Sequence, residues 1–111
     1  MNSKKEIEDV LNIIKNKLND PKLKHRFENY TKNIQFSFPD INSTYLMKIN
    51  KGKIESFKEE KSNTPDIHIT TNINILIDIL NKKINTMNAY ATGKLKVKGK
   101  LTDLLKLQKI I

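Results

Sequence analysis

The chain of 111 residues is about the size of one ordinary domain, long enough to bury a core and too short to build two. With 37% apolar and 30% charged residues it falls among globular proteins, and the absence of Cys excludes a disulfide framework, a thiol nucleophile and every thiolate metal site. The formal charge of +9 is carried almost wholly by Lys, Arg26 being the sole Arg, which suits diffuse attraction to anions better than bidentate reading of phosphates or bases.

No uninterrupted apolar stretch follows Met1 as a signal peptide would, and no segment approaches transmembrane length, so a cytoplasmic protein is expected. Ser3 and Glu6 have capping-box spacing, and Ile7, Val10, Leu11, Ile14 and Leu18 recur at helical intervals behind them. A first amphipathic helix to about Leu18 is predicted. Asn19-Asp20-Pro21 stops it and opens a short second helix with Leu23, Phe27 and Tyr30 on one face.

From Asn33 the period shortens to two. Ile34, Phe36 and Phe38 alternate with polar residues up to Pro39-Asp40, and Tyr45, Met47 and Ile49 alternate next. Asn50-Lys51-Gly52-Lys53 supplies the Gly of a tight hairpin, and Ile54 and Phe57 differ in parity, which predicts a bulge in the returning strand. A fourth strand after Pro65 points Ile67, Ile69 and Thr71 one way, His68 and Thr70 the other.

Thr71-Asn72 is read as a cap for the segment Ile73 to Leu80, whose only charge is Asp78. That helix is too apolar to keep a wet side and is predicted to be sandwiched. Ile84, Met87 and Tyr90 give one or two helical turns closed by Gly93, and a fifth strand sets Leu95 and Val97 against Lys94, Lys96 and Lys98, as a sheet with one solvated face requires. A last helix is predicted from Leu101 to Ile111, its apolar arc containing Gln108.

The stretch Tyr90-Ala91-Thr92-Gly93-Lys94-Leu95-Lys96-Val97-Lys98-Gly99 resembles the C-terminal motif of the sterol carrier protein family, type two. Tyr45 to Ile54 with its Asn50-x-Gly52 hairpin, Pro65-Asp66-Ile67-His68-Ile69-Thr70, and Leu104-Leu105-Lys106-Leu107-Gln108 lie in that family's order. Asn81-Lys82-Lys83 stands where the family usually has Gly, and Lys100 where an acidic residue is common. The resemblance implies an α+β fold of five strands, with helices on one face and an apolar tunnel between them that holds a sterol, fatty acyl or isoprenoid molecule. The fold expected is an α+β domain with a mixed, mainly antiparallel sheet, and the residues agree independently on a cavity, because two nearly all-apolar helices, Ile73 to Leu80 and Leu101 to Ile111, exceed what one sheet face needs.

Gln108 is the first candidate ligand contact, since a polar side chain inside an apolar arc must find a partner or lose roughly 1 to 3 kcal/mol; the resemblance likewise places a polar group of the tunnel there. Its bland alternative is a Gln that snorkels to water. Leu76, Ile77, Leu80, Met87, Tyr90, Leu101, Leu104 and Ile111 are candidate walls, with ordinary core packing as the alternative. Lys94, Lys96, Lys98 and Lys100 could dock on an anionic membrane, or serve only as a solvated face. His25 and His68 are isolated, and no phosphate loop, nucleophile elbow or paired-carboxylate motif is present, so neither catalysis nor a cofactor or metal is expected. Beyond simple carriage, presentation of a lipid to a partner enzyme is the first alternative; a basic nucleic-acid binder is the second.

Overall fold

The computed structural model describes residues 4–111, so Ser3 of the expected capping box lies outside them. The elements run α1 (Lys4–Asn19), α2 (Pro21–Phe27), β1 (Lys32–Phe38), a 3-10 turn (Pro39–Ile41), β2 (Ser43–Asn50), β3 (Lys53–Glu59), β4 (Ile67–Thr70), α3 (Ile73–Leu80), α4 (Thr86–Ala91), β5 (Lys96–Lys98) and α5 (Leu101–Leu107). The strands form one sheet in the order β3-β2-β1-β4-β5, antiparallel except for the central β1–β4 pair. The α+β architecture expected from the sequence is the one observed.

Alternation decides which side is inside. Ile34, Phe36, Phe38, Met47, Ile49, Ile67 and Ile69 are buried beneath the helices, joined by Val10, Ile14 and Leu18 of α1 and by Ile73, Leu76, Ile79 and Leu80 of α3. The neighbour that sandwiches α3 is α1, which packs alongside it. At the hairpin, Lys51 and Gly52 both have positive φ, the geometry of a two-residue primed turn, and Gly52 donates its N–H to Tyr30 O at 2.9 Å. The predicted bulge lies where the β2–β3 register shifts beside Ile49.

Three expectations need correction. Asn72 occupies the N-cap position of α3 with extended backbone, yet its side chain makes no capping bond; the Asp40 carboxylate accepts from Ile73 N–H instead, at 3.2 and 3.3 Å. The last helix is shorter than predicted. It stops at Leu107, and i−3 bonds from Lys109 to Lys106 O and from Ile110 to Leu107 O tighten the next turn, so that Ile110 and Ile111 fold into the core. The sheet face opposite the helices is not simply solvated either. The segment after β3 crosses it, with Glu60 N–H bonded to Thr44 O and Ser62 N–H to Gln35 Oε1 at 2.7 Å, and Leu46 and Gln35 on that face are buried.

Candidate ligand-binding groove

Helix α3 ends where a surface groove begins. Lys82 follows the last turn in a left-handed conformation, φ 65°. Its N–H bonds to Ile79 O and that of Lys83 to Asp78 O, the two bonds of a Schellman cap. Gly normally takes that position, because an L side chain there costs roughly 1 to 2 kcal/mol. Beyond it, Asn85 caps α4 by accepting from Asn88 N–H at 3.0 Å. These two caps and the turn after α5 enclose a groove of about 410 Å³ lined by Ile79, Lys82, Ile84, Asn85, Thr86, Gln108 and Lys109.

Gln108 is half-buried, and its side-chain amide makes no hydrogen bond among the described residues. Lys82 and Lys109 have no ion-pair partner there either. Nearby, the Lys17 ammonium donates to Leu80 O at 2.9 Å, and burial, followed by repulsion from Lys82, brings its pKa down from 10.5 to about 8. The groove thus combines an apolar wall, an unengaged amide and two uncompensated cations, with a third cation close by.

Of the nine residues singled out as ligand contacts, Gln108 alone lines this groove. Leu76, Leu80, Leu104 and Ile111 are each at most 2% exposed and pack within the core. Ile77 and Met87 are half-buried, while Tyr90 and Leu101 stand out at the surface with Leu105. Helical phase explains the division in α5: Leu104 and Leu107 are turned inward and buried, so Leu101 and Leu105 face outward. The seat of α5 is completed by Lys106, whose ammonium lies 5.4 Å from the Phe27 ring centre and 5.5 Å from that of Tyr30, and by a Lys32–Asp103 pair at 3.9 Å. The Tyr30 hydroxyl beneath is buried without a partner, and burial together with Asp103 and Asp66 raises its pKa.

Lys94, Lys96, Lys98 and Lys100 are all exposed. His68 lies on the outer sheet face as predicted, its Nε2 2.8 Å from Ser37 Oγ, and burial and then Lys98 lower its pKa. His25 is exposed, 3.7 Å from Glu28. Among the described residues no three His, Asp or Glu side chains gather as a metal site would require, and no helix is long and apolar enough to cross a membrane. Sequence reasoning missed Lys82, Lys109, Asn85 and Thr86; the one available signal was Lys82 standing where a helix-ending Gly is usual.

No curated protein sequence matches the chain. Solved structures do. Sterol carrier protein 2 like 2 from Aedes aegypti has a TM-score of 0.72 at 14% identity over 99% of this chain and 100% of its own. Sterol carrier protein 2 from the same organism, in complex with the C16 fatty acid palmitate, scores 0.68 at 17% identity over 93% of this chain and 91% of its own. The stereoselective inverting sec-alkylsulfatase from Pseudomonas sp. scores 0.65 at 15% identity over 73% of this chain, which spans only 13% of the enzyme. At these identities the likeness establishes the five-stranded fold. The sequence itself goes further, for the model of the SCP-2 sterol transfer family matches residues 11–111, and the chain belongs to that family.

Proposed function

We propose that this protein binds one lipid-like molecule non-covalently between the sheet and the helices, with Gln108 at the mouth of the site. The observation that carries the reading is the unengaged Gln108 amide, held beside Ile79 and Ile84 at the end of the segment that closes the core. Leu104, Leu107, Ile110 and Ile111 of that segment are buried. A guest would enter by displacing α5 and the turn after it, putting an acyl or isoprenoid chain in place of these four side chains and forming a tunnel. The exchange is energetically balanced: each displaced side chain forfeits roughly 1.5 to 3 kcal/mol, and each methylene buried in its place returns about 0.8 kcal/mol. No covalent step is involved.

Membership of the SCP-2 family supports the lipid class of the guest, as does the palmitate bound by the Aedes aegypti protein of the same fold. Lys94, Lys96, Lys98 and Lys100 lead directly to exposed Leu101, a surface suited to transient docking on anionic headgroups during exchange. The sulfatase comparison supports a second reading, presentation of the lipid to a partner enzyme, because there the same fold forms a minor part of an enzyme chain.

The test is native mass spectrometry of protein stripped by organic extraction and then offered acyl and isoprenoid probes. One bound probe per chain is expected, and uptake of a neutral isoprenoid probe should depend little on salt; nucleic-acid binding would instead fall steeply with salt. Leu104→Glu should abolish uptake while most helical circular dichroism persists. A wild-type protein that takes up no probe sinks the proposal.

A further inference from the structure

Lys82 is an expensive residue for this fold. It holds a left-handed backbone that Gly would adopt without strain, its charge repels Lys17, and no ion pair or side-chain hydrogen bond offsets either cost among the described residues. Attraction of cations to the C-terminal end of α3 accounts for the bond from Lys17 to Leu80 O. It does not account for Lys at the left-handed position, nor for Lys109, which reaches the same groove from beyond α5. The groove wall contains no carboxylate. Its other polar side chains are Asn85, Thr86 and Gln108, and the Gln108 amide offers two N–H donors.

We infer that the groove is a headgroup site for an anionic amphiphile, a carboxylate or a phosphate monoester, held between Lys82 and Lys109 with Gln108 donating to it, while the apolar chain passes Ile79 and Ile84 into the core. The inference rests on the lipid-binding reading and narrows it: acids are preferred over neutral sterols and alcohols of the same apolar size. Charge-assisted hydrogen bonds in a partly desolvated groove supply that preference, and two ammonium groups give it more securely than one. The strain at Lys82 is then retained for the ligand, in keeping with the concentration of such backbone conformations at binding sites.

The experiment displaces a neutral fluorescent probe from the stripped full chain with dodecanoate, dodecyl phosphate, dodecanol and inorganic phosphate, using wild type, Lys82→Gly, Lys109→Met and the double variant. In wild type at least one of the two acids should bind about tenfold tighter than the alcohol or better. The stronger of the two identifies the headgroup. The double variant should bring that acid down to the level at which the same variant binds the alcohol. Lys82→Gly should in addition hold or raise the melting temperature, which a merely structural Lys would not allow. Equal binding of acid and alcohol by wild type, or a preference that survives the double substitution, overturns the headgroup site while leaving lipid binding intact. Displacement by inorganic phosphate as effective as by dodecyl phosphate also overturns it, in favour of a free-anion site. If no amphiphile displaces the probe, the lipid reading fails and this inference fails with it.

Discussion

Lys17 shows what a cation costs when it is drawn under a helix end. Its ammonium satisfies Leu80 O, but burial and Lys82 bring its pKa from 10.5 to about 8. The folded state therefore binds fewer protons than the unfolded chain between those two values, and stability must rise as pH climbs through that window. Tyr30 and Tyr45 act oppositely above pH 10, because their raised pKa values make the folded state hold protons that the unfolded chain releases. Urea titrations at pH 7.5 and 9.5 separate the two effects. Wild type should gain stability over that interval relative to Lys17→Met, and identical pH dependence in the two proteins would show that the Lys17 ammonium is not desolvated. From sequence, Lys17 reads only as the polar side of an amphipathic helix. Nothing local reveals that a carbonyl 63 positions away accepts its hydrogen bond.

The elements divide according to how far apart their determinants lie in the chain. Those set by neighbours were legible: the period-two strands, the Asn50-x-Gly52 turn, the bulge announced by the parity of Ile54 and Phe57, and the stop at Asp20-Pro21. Those set by distant partners were not. The cap of α3 comes from Asp40, 33 residues upstream of the N–H it satisfies, whereas Asn72 held the expected place and does nothing with its side chain. Replacement tests this directly. Asp40→Ala should cost about 1 kcal/mol of unfolding free energy, the usual loss for an N-cap, and Asn72→Ala much less; the reverse order in chemical denaturation would refute the assignment. The sequence overstates the length of α5 because Gln108 and Ile111 continue its arc past Leu107, and only the tighter bonding of the following turn shows that Ile110 and Ile111 face inward. For the site, the apolar arc around Gln108 and the family resemblance together single it out. The lysines beside it carry no such signal, because an isolated Lys in a basic chain reads as solvated surface.

At the scale of the molecule, the parallel β1–β4 pair fixes the plan. The chain must leave β1, complete the β2–β3 hairpin and return, and the return path over the outer face is tied by Thr44 O and Gln35 Oε1. That crossing covers the centre of one sheet face, while the other face carries every helix and the core. The groove opens on the helical side, where two helix ends and a turn meet without interdigitating.

The Lys106 ammonium above Phe27 and Tyr30 sets rest against use. A contact of this kind contributes about 0.5 to 1 kcal/mol, and on the proposed opening of α5 whatever it adds to the closed form is subtracted from occupancy, because a guest would wait for the minority of molecules in which the stopper is already loose. Lys106→Ala should accordingly lower the unfolding midpoint of the empty protein and tighten its hold on a neutral alcohol by about two- to fivefold. Calorimetric titration with dodecanol reads the second effect, and weaker binding in the variant would mean that the helix does not open. If α5 is the stopper, a looser seat for it, not a tighter one, is what makes room for a guest.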